Sequence, residues 1–225
     1  MVVLFVVVTF AAFIALDYLL NREKYAVEAQ QAETAPVRAS ARPFEPVFVD
    51  GVMMLPTLRY HPGHAWANTE GAATARVGID DFAARVVGPI TQVDLPPVGR
   101  WIRQGEKAFT VHQQGRTAEI MSPVEGEIVQ VNTTLRESPL LLRDDPYGVG
   151  WVMVVHSPDL STTIRNLLSG SLAQRWMEDA VERLYRFFAP AVPAMAQDAG
   201  PLQPGLGADL DANRWRALVK EFLLN

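Results

Sequence analysis

Apolar and polar residues alternate along the stretch from Thr110 to Asn132, and this pattern predicts three short strands. A tight Gln-Gln-Gly-Arg turn separates the first two strands, and Gly115 in it can take a positive φ without a Cβ penalty. Gly126 marks a second reversal, before the cleanly alternating strand at residues 127–131. The stretch is therefore predicted to form a β-hairpin followed by a third strand.

The N-terminal run from Val2 to Leu20 is almost wholly apolar, and Asp17 is its only charge. A helix of this length rises about 1.5 Å per residue and can just cross a hydrocarbon core of about 30 Å. A cleaved signal peptide is the alternative, but the run has no basic start and no nearby small-x-small cleavage site. We therefore predict a transmembrane helix over residues 1–21, with Asp17 as a candidate contact to a partner subunit or to the lipid interface.

Basic residues flank only the C-terminal end of this apolar run, at Arg22 and Lys24. The positive-inside rule then predicts a single-pass membrane protein with its N-terminus outside and its globular domain in the cytoplasm.

The remaining chain divides by composition. Residues 22–56 are predicted to be a helical and then extended, proline-containing linker, and residues 57–188 form the folded domain. Helical spacing of apolar residues predicts two helices between Asp159 and Phe188, separated at Gly170. Residues 189–208 are predicted to be a second linker, rich in Pro, Ala and Gly. Residues 209–225 are predicted to be an amphipathic helix that docks on a partner, lies on the membrane or folds back, with an apolar face that includes Trp215, Leu218 and Phe222.

Five motifs within residues 57–188 resemble those of the glycine cleavage system H protein family. They are Tyr60-His61-Pro62-Gly63-His64-Ala65-Trp66, the Val-Gly-Ile segment at 77–79, Leu95-Pro96-Pro97-Val98-Gly99, Ser122-Pro123-Val124-Glu125-Gly126, and Pro146-Tyr147-Gly148-Val149-Gly150-Trp151. The resemblance implies a mainly β barrel-sandwich hybrid with flanking helices. In that family a lysine at the hairpin tip carries the lipoamide arm, and counting back from Ser122-Pro123 places Gly115 at the matching position. The resemblance therefore implies the fold but leaves the arm without an attachment point.

Composition narrows the function further. The formal net charge of -5 argues against a nucleic-acid binder. The absence of cysteine excludes disulfides and thiolate metal sites. The chain has three lysines, and Lys107 is the one that lies near the hairpin, eight positions before the tip.

The histidines give no active site. His61 and His64 are spaced like metal ligands but have no third ligand nearby, so packing or turn hydrogen bonding is the favoured interpretation. His112 and His156 lack the serine and aspartate partners of a catalytic triad. We therefore predict a protein that is not an enzyme and has no cofactor, metal or small-molecule substrate.

The chain lacks the modifiable lysine but has a predicted anchor and a tethered helix. It is therefore predicted to be a non-lipoylated structural subunit of a larger membrane complex. Its predicted partners are integral membrane subunits and the lipid bilayer, and a respiratory or photosynthetic complex is the suggested host. The alternatives are a membrane-fusion-type adaptor of an export system, a carrier modified at another site such as Lys107, and a decoy that binds a lipoyl ligase or the glycine decarboxylase.

Overall fold

The computed structural model describes residues 45–188 and 205–224. The predicted transmembrane helix at residues 1–21, its Asp17 and residues 22–44 of the first predicted linker lie outside the described residues, as do residues 189–204 of the second linker. Among the helices that are described, none is both long and apolar enough to cross a bilayer.

Eleven short strands are described, and all of their pairings are antiparallel. They form a two-stranded sheet (β1-β2), a six-stranded sheet (β3-β4-β5-β11-β10-β7) and a three-stranded sheet (β6-β8-β9). The predicted mainly β fold is confirmed. The strands are β1 Val47–Val49, β2 Val52–Met54, β3 Arg59–Tyr60, β4 Ala65–Thr69, β5 Thr74–Ile79, β6 Gln92–Asp94, β7 Trp101–Ile102, β8 Lys107–Gln113, β9 Arg116–Met121, β10 Gly126–Val131 and β11 Met153–His156.

Helices connect and flank these sheets. They are α1 Asp81–Val87, a 3₁₀ helix Thr133–Arg136, α2 Leu141–Asp144, α3 Leu160–Arg165, α4 Gly170–Phe188 and α5 Ala212–Phe222. The Asp80 carboxylate begins α1 by accepting a hydrogen bond from the Ala83 N–H at 2.8 Å. The two helices predicted between Asp159 and Phe188 are present as α3 and α4.

Residues 47–54, which lie within the predicted first linker, pair as β1 and β2 and pack onto the domain. The Met53 N–H donates to the Asp81 carboxylate at 2.7 Å, and the Tyr147 hydroxyl donates to the Met53 carbonyl at 2.7 Å. The first bond ties β2 to the start of α1 and the second ties it to the turn that follows α2, so the folded unit begins ahead of residue 57.

Among the described residues, Trp66 is the largest fully buried side chain, and it is 1 % exposed. Its indole N–H donates to the Pro146 carbonyl at 3.1 Å, and its ring lies against Gly78 of the neighbouring strand. A Cβ at Gly78 would come within 2.6 Å of the indole, so only glycine leaves room for the ring. The Tyr60-to-Trp66 and Val-Gly-Ile motifs are thus two halves of one packing contact.

Candidate functional site

The β8–β9 hairpin ends in a two-residue turn whose residues, Gln114 and Gly115, both have positive φ (48° and 78°). This is the backbone of a type I′ turn, which matches the right-handed twist of the paired strands. Both residues are exposed, and a Cβ built at Gly115 would meet nothing within 4 Å. The tip therefore projects into solvent and has room for a side chain at position 115.

Lys107, the alternative attachment site, lies at the opposite end of the hairpin. It pairs with Met121, whereas Gln113 pairs with Arg116 next to the turn, so about six residues of strand, roughly 20 Å, separate Lys107 from the tip. Its ammonium contacts the Glu119 carboxylate at 2.5 Å. Lys107 is exposed, but it is not at the tip.

The C-terminal segment, defined here as residues 205–224, packs beside the tip. The Arg116 guanidinium donates to the Gly207, Ala208 and Leu210 carbonyls at 3.0, 2.5 and 2.8 Å. The N–H groups of Gly205 and Gly207 donate to the carbonyls of Arg85 and Val86 near the end of α1. One flank of the hairpin is thereby joined to α1 through the C-terminal segment.

The candidate interaction residues of the terminal helix lie inside this arrangement. Trp215, Leu218 and Phe222 are between 0 and 3 % exposed and belong to the hydrophobic core of the same chain. The Trp215 indole N–H donates to the Thr117 carbonyl of β9 at 2.9 Å, and the Phe222 ring lies 5.5 Å from the Phe82 ring. Of the three alternatives for this helix, the structure has the folded-back one, and a contact of these side chains with a partner stays a prediction.

The histidines of the opening motif serve the domain's own packing. The His64 ring bonds the Asp80 carboxylate at 2.8 Å and stacks between Phe82 and Trp176, with centroids 4.1 and 4.6 Å away. Burial lowers the pKa of the His61 imidazole, whose Nδ1 accepts from the Gly63 N–H. Within residues 45–188 and 205–224, no three His, Asp or Glu side chains are placed to hold a metal ion.

His112 lies near the tip and forms a pair with Asp94 of the neighbouring strand, with 2.6 Å between Nε2 and the carboxylate. Hydrogen bonds from His112 and then Gln92 hold the pKa of Asp94 below its ordinary value. The pair lies on the surface and joins β6 to β8.

Sequence analysis missed the importance of Gln113 and Arg116, which it treated only as parts of the turn. Gln113 is fully buried, and neither oxygen nor nitrogen of its carboxamide has a hydrogen-bond partner among the described residues. The alternation along β8 did indicate that the Gln113 side chain would be buried. Phe109, Val111 and Gln113 share one face of the strand, and the first two are apolar. Nothing in the sequence shows that Arg116 would bind carbonyls about ninety residues away.

Residues 58–180 match the family model described as glycine cleavage H-protein. The chain is 38 % identical over 108 residues to the glycine cleavage system H protein of Coprothermobacter proteolyticus, a match that covers 48 % of this chain and 85 % of the relative. It is 45 % identical over 103 residues to the probable H protein of Aeropyrum pernix, covering 45 % and 71 % of the two chains. The crystal structure of the Mycobacterium marinum H protein aligns with 52 % of this chain and 94 % of its own, at 31 % identity and a TM-score of 0.47.

These relatives contradict the function predicted from the sequence. They are named as H proteins of the glycine cleavage system, so the predicted structural subunit of a respiratory or photosynthetic membrane complex is wrong, as is the export adaptor. The predicted integral membrane partners, the lipid bilayer as a partner and the membrane location are wrong for the same reason. The error came from giving the segments outside the matched residues more weight than the domain itself. The chain belongs to the glycine cleavage H-protein family, whose domain it contains at residues 58–180.

Proposed function

We propose that this protein is a non-catalytic H-type component of a glycine cleavage system that binds a partner enzyme through its β8–β9 hairpin and carries no lipoyl group at the tip. The observation that carries the proposal is the exposed Gly115 at the end of an intact hairpin. Under this proposal the partner meets the hairpin surface, and the tip residue Gly115 has no side chain to carry an arm.

Attachment of a lipoyl group needs an amine that can form an amide bond. Gly115 has no side chain, and the neighbouring Arg116 has a permanently protonated guanidinium that already binds three carbonyls. Lys107 and Lys220 are the lysines of the described residues, and they lie at the base of the hairpin and on α5. Neither lysine occupies the tip, so the tip itself offers no attachment point.

The hairpin is nevertheless held in one position. The type I′ turn fixes its end, and the pairing of β8 with β9 continues up to the turn, where Gln113 pairs with Arg116. A preorganised surface loses little conformational freedom on binding, which favours association even without a reactive arm. A protein of this kind would occupy the H-protein site of the glycine decarboxylase and compete with the lipoyl-bearing H protein.

The test has two measurements on the full chain. In the first, the chain is incubated with a lipoate ligase, ATP and lipoate, and its intact mass is determined, with a lipoyl-bearing H protein as the positive control. In the second, its affinity for the glycine decarboxylase of the same organism is measured, with the lipoylated H protein as competitor. We expect an unchanged mass and a complex that the competitor displaces.

Two results would overturn the proposal. A lipoyl adduct on the wild-type chain would show that it is a carrier, and a Lys107→Arg variant would then show whether Lys107 is the site. A chain that neither binds the decarboxylase nor slows the reaction of the lipoylated H protein with it has no role at that enzyme.

A further inference from the structure

The C-terminal segment covers a polar group that it does not satisfy. The Nε2 atom of Gln113 lies 3.8 Å from the position that a Cβ at Gly88 would take, and the Gly205 Cα lies 2.9 Å from the same point. The Gln113 carboxamide is thus enclosed where the end of α1 meets the start of the C-terminal segment. A buried amide without partners loses its hydrogen bonds to water and gains nothing in return, so this closure is less favourable than its apolar contacts alone would make it.

Besides its bonds to α1, the segment makes several polar contacts with one short stretch of the hairpin. The Arg116 guanidinium donates to three backbone carbonyls, and the Thr117 carbonyl, on the edge strand of its sheet, accepts from the Trp215 indole N–H. Together with Gln113, this surface offers guanidinium donors, a backbone acceptor, and one amide donor with one amide acceptor. These groups suit a polypeptide backbone, which presents carbonyls and N–H groups in alternation.

We propose that the hairpin flank formed by Gln113, Arg116 and Thr117 is a docking surface for a peptide segment of the partner enzyme, and that the C-terminal segment is its removable intramolecular cover. The proposal rests on the proposed function for the identity of the partner. The partner's peptide segment replaces the carbonyls of residues 207–210 at Arg116 and, unlike the cover, supplies a donor and an acceptor to Gln113. The unsatisfied carboxamide favours this exchange.

The cover also sets a threshold for binding. A segment tethered to its own domain competes at an effective concentration on the order of millimolar, so a weakly binding peptide does not displace it. A partner therefore has to bind the tip and the flank together in order to displace the C-terminal segment.

Two substitutions alter the cover in opposite directions. Gln113→Met removes the unpaired amide while keeping an unbranched side chain of similar volume, and it should hold the cover more tightly. Gly207→Ala acts as a wedge, because its Cβ would come within 2.5 Å of the Val86 carbonyl and 2.7 Å of the Trp215 ring. Gly207 is not among the residues with positive φ, so the backbone accepts alanine and the effect is steric.

Hydrogen exchange on the full chain measures opening of the cover directly. We expect the α5 amides and the Gly205 and Gly207 amides to exchange at least tenfold faster than those of β10 and β11. Gln113→Met should slow the exchange of the cover by about fivefold to a hundredfold, the range expected for one unpaired buried amide. Gln130→Met, at an exposed strand position, is the matched control and should leave the exchange unchanged.

Affinity for the glycine decarboxylase is then measured for the same variants. Gly207→Ala should bind more tightly than the wild type and Gln113→Met more weakly, with the exchange of β10 and β11 confirming that each variant is folded. Gly99→Ala, where a Cβ meets nothing within 4 Å and only the φ of 85° opposes the change, controls for a destabilising glycine substitution outside the cover.

The outcomes separate the two proposals. A cover that exchanges no faster than β10 and β11, or is unaffected by Gln113→Met, overturns the removable cover while hairpin binding stands. A cover that opens as expected while Gly207→Ala binds with wild-type affinity shows that the enzyme uses the tip alone, which also overturns this inference. Failure of every variant to bind the decarboxylase overturns the proposed function and the docking surface together.

Discussion

Arg116 lies over the indole ring of Trp215, with its Cζ 4.9 Å from the ring centroid, although the two residues are 99 positions apart in the chain. The same guanidinium donates to three carbonyls of the C-terminal segment, and the indole N–H donates to the backbone one residue beyond Arg116. A single hairpin side chain therefore fixes both the irregular start of the segment and the first turn of α5.

Replacing this arginine should loosen the segment more than an average surface substitution would. Arg116→Gln removes the cation–π contact and the charged hydrogen bonds, and we expect a loss of about 2–3 kcal/mol in the free energy of unfolding. Urea unfolding followed by circular dichroism measures it. Arg143→Gln is the control, because Arg143 only meets the exposed Asp144, and it should cost about 0.5 kcal/mol or less. Equal losses for the two variants would contradict a fixing role for Arg116.

Acid should release the start of α5. The pKa of Asp211 is held below its ordinary value of 3.8 by hydrogen bonds to its carboxylate from the backbone N–H of Arg214 and then of Asn213. The folded segment thus favours the ionised carboxylate, so this stabilisation is present above the ordinary pKa and is lost as pH falls through the lower folded value.

In Asp211→Asn the amide oxygen still accepts these bonds but does not titrate. Exchange or chemical shifts of the Asn213 and Arg214 amides, followed from about pH 6 to about pH 2, should therefore show an acid transition in the wild type that the variant lacks. An identical transition in both proteins would assign it to other carboxylates.

The features that the sequence predicted correctly are those that depend on residues close together in the chain. The hairpin turn, Gly115 at its tip and the division at Gly170 depend on neighbours within a few residues, and alternation with turn chemistry was enough to place them. The contacts of Arg116 with residues 207–210 and the enclosure of Gln113 depend on chain segments that meet only after folding. An amphipathic helix such as α5 shows that it has an apolar face, but its own pattern does not say which surface that face covers.

Packing of Trp66 against Gly78 should make Gly78→Ala strongly destabilising. The added Cβ would lie 2.6 Å from the indole, and the indole cannot move freely because it is buried and bonded to the Pro146 carbonyl. We expect a loss of about 3 kcal/mol in the free energy of unfolding, at the upper end of the range for overpacking. Gly105→Ala is the matched control, because its Cβ meets nothing and only its φ of 76° opposes the change, which should cost about 1 kcal/mol.

A double variant tests the origin of that loss. Combining Gly78→Ala with Trp66→Phe removes part of the indole that the new methyl would strike, so the two losses should be less than additive. Additive losses in thermal or urea unfolding would show that Gly78 is required for its backbone and not for the space it leaves.

Installing a lysine at the tip should convert the protein into a substrate of lipoate ligase. At Gly115→Lys the φ of 78° costs the new side chain roughly 1 kcal/mol, but its Cβ meets nothing within 4 Å, so the hairpin should keep its structure. If Gly115 holds the family's lysine position, as predicted from the sequence, the new amine lies where that family carries its lipoamide. We expect intact mass after incubation with ligase, ATP and lipoate to show a single lipoyl adduct that the wild type lacks.

Gln114→Lys is the control for position, because residue 114 is equally exposed and also has positive φ, one residue before the tip glycine. An adduct on Gly115→Lys but not on Gln114→Lys means that the ligase still recognises this hairpin, and that the wild type escapes modification through one residue. Equal modification of both variants means that any exposed amine near the turn is accepted. No modification of a folded Gly115→Lys variant means that the ligase does not recognise an amine at this tip, which would contradict the expected conversion into a ligase substrate.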